Sequence, residues 1–162
     1  MTDTLTKHEK NISALLHAST FSKFFFPLGN FIVPLVLWSA NKNDYKFVDY
    51  NGKQALNFQI SLLLYSIILG IVSIPIFFSF LPNFFDLASG QAGFGNFNNF
   101  NNFNLNFNRN DFRFGSWLIP VGISGLLHGA LFVINIVYTI LAVIKTNEGH
   151  KFSYPITIKF IR

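Results

Sequence analysis

The chain has 162 residues, a length for one domain, yet 51% are apolar, only 12% are charged and the mean hydropathy is +0.40. That much apolar surface excludes a disordered chain and departs from soluble domains, where charged residues make up ~25%. The absence of Cys excludes a disulfide framework, a thiolate metal site and a cysteine nucleophile. The net charge of +5 forms no nucleic-acid patch, because the basic residues lie mostly at the ends of long uncharged runs; the composition is that of an integral membrane protein.

The first apolar region, residues 11–40, carries Lys23 near its middle and then Pro27, Gly29 and Pro34. A straight helix would put Lys23 near the bilayer centre, at ~2.5–3.5 kcal/mol. Two arrangements avoid this. In one, residues 11–22 lie flat at the interface and 24–40 cross once; in the other, the two halves form a broken or re-entrant hairpin turning near Pro27-Leu28-Gly29. Residues 54–85 are uncharged, and 60–81 are almost wholly apolar, enough for a crossing of ~20 residues, with a kink expected at Pro75. Residues 116–144 are also uncharged, with Pro120 expected in the first turn. A chain this small cannot bury two such helices on all sides, so transmembrane helices are predicted over 54–81 and 116–145.

Lys and Arg near the span ends set the topology. Lys42, Lys46 and Lys53 precede the first span; Lys145, Lys151, Lys159 and Arg162 follow the second, on the same side; only Arg109 and Arg113 lie between. The lysine-rich side is therefore expected in the cytoplasm, with the tail 146–162. If the first region is a hairpin, Lys7 and Lys10 join that side, which favours the hairpin. The segment between the spans, 82–115, is low-complexity: Phe94, Phe97, Phe100 and Phe103 recur every three residues with Asn in most gaps. That spacing fits neither helix nor strand. The segment reads as an external loop, either adhesive through those four rings or a tolerated insertion.

Polar residues within membrane helices are the place to look for function. At ~100° per residue, Ser124, His128, Asn135 and Thr139 share one stripe of the last span, Gln54, Asn57, Ser61 and Tyr65 share another, and Ser13, His17 and Thr20 a third. Facing stripes could line a polar pathway through His17, Asn57, His128 and Asn135, or could bind the helices to one another. No Asp, Glu or Arg lies in the spans, which favours helix bonding. Two His without a neighbouring carboxylate or thiol fall short of a metal site. No HExxH, Walker loop or dinucleotide fingerprint is present, so no cofactor and no catalysis are expected.

The lysine-rich loop places Trp38, Tyr45, Phe47 and Tyr50 at the headgroup level and Lys42, Lys46 and Lys53 against anionic lipid, with Asp49 as an N-cap or first-turn acid. The order of its residues, Phe47-Val48-Asp49 and then Gly52-Lys53-Gln54-Ala55-Leu56-Asn57-Phe58-Gln59, resembles the signature of a family of small bacterial membrane proteins of unknown function. That family resembles the twenty-kilodalton channel-type subunit of the chloroplast inner-envelope import translocon. Leu28-Gly29-Asn30 to Pro34-Leu35 with Trp38, and Lys145-Thr146-Asn147-Glu148-Gly149 leading to Tyr154-Pro155, match as well; the Phe/Asn-rich insert departs from the compact family loop. The resemblance implies a small helical membrane protein and, by distant analogy, a translocation component. After Gly149, an expected helix C-cap, the alternating tail reads as a short strand or a segment on the membrane face. The N-terminus lacks the pattern of a cleavable signal peptide.

The expectation is an all-α integral membrane protein, a small bundle with a broken first hairpin and two full spans, in a bacterial inner membrane with the C-terminus cytoplasmic. Its expected role is a non-enzymatic accessory or interaction subunit, touching the lipid bilayer and protein partners or further copies of itself, but not nucleic acid. The alternative is a pore or transport component.

Overall fold

The computed structural model describes residues 5–88 and 112–162. Most of the expected Phe/Asn-rich loop, including Phe94, Phe97, Phe100 and Phe103, lies outside the described residues. Those described form four α-helices and no strand: α1 (Lys7–Ala18), α2 (Gly29–Asn41), α3 (Lys46–Ala88) and α4 (Phe112–Asn147), with a 3-10 segment at Ser19–Phe24 and an extended tail after α4. The described residues are all-helical apart from the tail, which is extended backbone that joins no sheet among them.

Helix α1 starts at a capping box. Thr6 Oγ1 accepts from the Glu9 amide at 3.2 Å, and the Glu9 carboxylate accepts from the Thr6 amide at 2.8 Å. Its other end tightens into the 3-10 segment because hydroxyls there take the carbonyls three residues back: Ser19 to Leu16, Thr20 to His17 and Ser22 to Ser19, at 2.6–2.8 Å. The chain then passes through Leu28 in the left-handed region (φ 61°) and enters α2 at Gly29. Gly29 admits nothing larger, since a Cβ there would lie 2.5 Å from the Ser22 carbonyl oxygen. With 12 and 13 residues, α1 and α2 are each shorter than the ~20 residues of a crossing.

Helices α3 and α4 hold two stretches long and apolar enough to cross a membrane, Lys46–Pro75 and Val121–Asn147. Only 39% and 17% of their most apolar windows are buried, unlike the core helices of a soluble protein. Helix α3 runs on past Pro75, and α4 begins at Phe112, so Pro120 lies beyond the first turn where it was expected. Helix α4 ends in a Schellman motif: the His150 amide donates to Lys145 O and the Gly149 amide to Thr146 O, both at 2.9 Å, with Gly149 at φ 91° as its position requires.

The chain forms two compact units, Met1–Tyr65 with Leu131–Arg162, and Ser66–Ala130. The first has an apolar core of Phe58, Leu62, Ala142 and Tyr154, with Phe58 and Tyr154 stacked at 3.9 Å, but its interior is otherwise largely polar: His17, Asn51, Asn57, Gln59, Thr139 and Thr146 are all buried. The large apolar side chains Ile32, Val36, Leu63, Val133 and Val137 are exposed. That inversion suits a chain whose solvent is lipid, where apolar surface needs no burial and polar groups need partners. In the second unit, Ser73 Oγ donates to Leu69 O at 2.7 Å and so accepts from Ser124 Oγ at 2.6 Å.

Candidate functional site

The polar stripes of the first unit meet in three clusters, each built on α3. The first holds the tail. Asn57 Oδ1 accepts from the amides of Phe160 (3.1 Å) and Ile161 (2.8 Å), and its Nδ2 donates to Ile161 O (2.9 Å). One turn on, Ser61 Oγ donates to Asn57 O and accepts from the Ile158 amide at 2.9 Å; a further turn on, Tyr65 Oη donates to Ile156 O at 2.8 Å. Positions i, i+4 and i+8 of one helix thus form a ladder that grips extended backbone antiparallel to α3. Extended backbone outside any sheet, packed against a helix, requires such partners.

The second cluster is an amide clasp. Gln59 Nε2 donates to Asn135 Oδ1 (3.2 Å), and Gln59 Oε1 accepts from Asn135 Nδ2 (3.4 Å) and from Asn30 Nδ2 (3.0 Å). Thr139 Oγ1 adds a bond to Asn135 Oδ1 at 3.3 Å, so α2, α3 and α4 are joined through four side chains.

The third cluster centres on His17, fully buried on α1. Asn51 Nδ2 is committed to Phe47 O, so Asn51 Oδ1 accepts from His17 Nε2–H at 3.2 Å and from Thr146 Oγ1 at 3.4 Å. That fixes the tautomer and leaves His17 Nδ1 to accept the Tyr154 hydroxyl at 2.9 Å. Both groups lie outside the two candidate spanning stretches. Burial drives the His17 pKa down to about 4, against a smaller opposing effect of the Asn51 bond, and burial pushes the Tyr154 phenol up. The ring is a neutral strut between α1, α3 and the tail.

Of the side chains singled out from sequence, His17, Asn57 and Asn135 belong to the first unit, each in a different cluster. His128 belongs to the second, where its Nδ1 bonds Ser124 O at 2.9 Å. Among the described residues no three His, Cys, Asp or Glu side chains gather to hold a metal. The tail was the element missed: Tyr154 and the backbone of 156–161 are the partners of the α3 stripe, and no periodicity links segments about a hundred residues apart.

The residues that carry the family resemblance recur in these contacts. Asn30, Asn57 and Gln59 make the first two clusters. Asp49 Oδ1 accepts from Trp38 Nε1 at 2.9 Å, while Lys53 pairs with Asp49 at 2.6 Å. At Gly52 any Cβ would run into Trp38 Cδ1, Cγ and Cβ. The motif is therefore a packing code for this arrangement of helices. Over residues 8–161 the chain matches the magnetosome magnetite crystal formation protein family. The chain belongs to that family. No curated protein and no solved structure matches it. The expectation of a small membrane protein family holds only at that coarse level: the family shown is the magnetosome one, and the comparisons lend no support to the expected relation to the chloroplast translocon subunit. Membership of the magnetosome family and the two apolar helices together point to a membrane location.

Proposed function

We propose that the protein is a non-enzymatic, multi-pass membrane protein that acts as an accessory or interaction subunit of a membrane assembly, with its lysine-rich loop and tail on the cytoplasmic face. The observation that carries this reading is where the polar side chains spend their hydrogen bonds. Asn57 and Ser61 hold the tail, Gln59, Asn135 and Asn30 hold one another, and His17 holds Asn51 and Tyr154. Side chains so engaged bind the fold together, while the outer surface offers apolar area to lipid or to other helices. The family's description ties its members to magnetite crystal formation in magnetosomes. For this chain that makes a magnetosome membrane assembly the first one to examine, with this protein as a membrane component of it.

The test is extraction in mild detergent followed by native mass measurement and crosslinking. Recovery in a complex with other membrane proteins is the expected result; recovery as a lone monomer would overturn the reading. A polar pathway through His17, Asn57, His128 and Asn135 is the competing reading. It requires proteoliposomes that pass protons, ions or small solutes and lose that flux with His128→Ala; no flux is expected.

A further inference from the structure

Where the two apolar stretches end, the first unit carries a cleft of about 440 Å³, within the ~300–1,000 Å³ of small-molecule sites. Four segments line it: Glu9 on α1, Asp44 in the turn before α3, Lys46 and Phe47 in the first turn of α3, and Gly149 and Lys151 after α4. The stretch Lys46–Pro75 has 30 residues, about 45 Å of helix, which spans the hydrocarbon core and both headgroup layers. Its first residue lines the cleft, and so does Gly149, two residues past the end of Val121–Asn147. With these stretches crossing, the cleft opens at headgroup level.

The charges around it are of both signs and do not cancel. Glu9 and Asp44 bring carboxylates, Lys46 and Lys151 bring amines, and no two of the four form an ion pair; the pairs of the described residues are Lys53 with Asp49, and Lys145 and His150 with Glu148. Glu9 commits Oε2 to the capping box, which leaves Oε1 for a ligand. The Asp44 and Lys46 side chains make no hydrogen bond among the described residues, and Lys151 Nζ rests 5.2 Å from the centroid of Tyr50. Lys10 adds an amine at the rim, where its Nζ would lie 3.1 Å from a Cβ on Gly149. The Lys46 and Phe47 amides, at the start of α3, also donate to no acceptor among the described residues. A ligand that answers all of these groups carries both charges: an ammonium whose N–H groups reach the carboxylates, and a phosphate for the amines and amides. We propose that the cleft binds the phosphoethanolamine headgroup of a membrane lipid. Its primary ammonium offers three donors to Glu9 and Asp44. A choline headgroup has none, and an anionic glycerol headgroup would leave both carboxylates unanswered. The site needs the membrane location and not the accessory role, so the two proposals fail separately.

The experiment exchanges the purified full-length protein into mixed micelles holding equal amounts of ethanolamine, choline and glycerol phospholipids with identical acyl chains. Native mass spectrometry then counts the lipids retained. One ethanolamine lipid is expected to stay bound, preferred about tenfold over either of the others. Asp44→Asn should abolish most of that preference, and so should Glu9→Gln, which keeps the capping box. Lys151→Gln should lower retention of the ethanolamine lipid by removing a phosphate contact. Thermal unfolding in detergent checks each variant; the two acids lie on different segments, so if one variant is unfolded the other decides. Equal retention of the three lipids, preference for the glycerol lipid, or a preference that survives both acid substitutions would overturn the site. Soluble phosphoethanolamine that binds while no lipid is retained would overturn the lipid as its source.

Discussion

At Gly52 a single hydrogen atom separates two outcomes. A methyl there would gain helix propensity of up to ~1 kcal/mol, but it would strike the root of the Trp38 side chain, which cannot swing aside as the tip of a long side chain could. Overpacking of this kind costs about 1–3 kcal/mol, and displacement of the indole would also break its bond to Asp49. Gly52→Ala is therefore expected to destabilise the protein by about 2 kcal/mol, read as a lower midpoint of thermal unfolding in detergent. His17 makes a different prediction because its charge is at stake. Its folded pKa of about 4 lies below the ordinary 6.5, so the unfolded chain takes up a proton between those values and the folded chain does not. The stability due to neutral His17 is complete above pH 6.5, falls as the pH drops toward 4, and is lost below that, for a total of roughly 3 kcal/mol. His17→Gln should remove this slope. Unfolding of wild type and variant at matched pH measures it, and parallel curves between pH 6.5 and 4 would contradict the assignment.

Between elements, the ladder on α3 controls whether the tail stays docked. Asn57→Ala removes two acceptor contacts and one donor from the backbone of residues 160 and 161. A loss of about 2 kcal/mol in local stability is expected, seen as a roughly 30-fold drop in hydrogen-exchange protection of the Ile158, Phe160 and Ile161 amides. Ser61→Ala touches only the Ile158 amide and should have a smaller, local effect. The sequence disclosed one side of this contact and hid the other. Asn57, Ser61 and Tyr65 are legible as a polar stripe because helical period is a local property. Their partner is main chain, which carries no side-chain signature, and it lies up to 104 residues away. The apolar stretches of α3 and α4 were legible for the same local reason. The His17–Tyr154 bond, spanning 137 residues, and the Trp38–Asp49 bond were not, since each depends on how whole helices lie together.

For the molecule as a whole, the distribution of charge predicts an orientation, and the lack of cysteine makes it easy to test. Single cysteines at Lys46 and Lys151 are expected to react with a membrane-impermeant thiol reagent only after the cytoplasmic face is exposed, because both lie in the lysine-rich segments. A cysteine in the segment between the spans should react from the opposite side. Labelling of Lys46→Cys and Lys151→Cys from opposite faces would mean that α3 and α4 do not both cross. The inverted interior of the first unit, polar within and apolar without, also predicts that the fold depends on a lipid-like solvent.

The grip of α3 on the tail bears on how the chain is made. Asn57 leaves the ribosome about a hundred residues before Ile161, its partner. At ~5–20 residues per second, α3 waits some 5–20 s with its polar stripe unanswered. During that interval Asn57 lacks its tail partners, whereas the Ser61 hydroxyl can already donate to Asn57 O within the helix. A chain cut short before residue 156 would lack every tail partner of Asn57, Ser61 and Tyr65, so the last few residues complete a fold whose other half was made first.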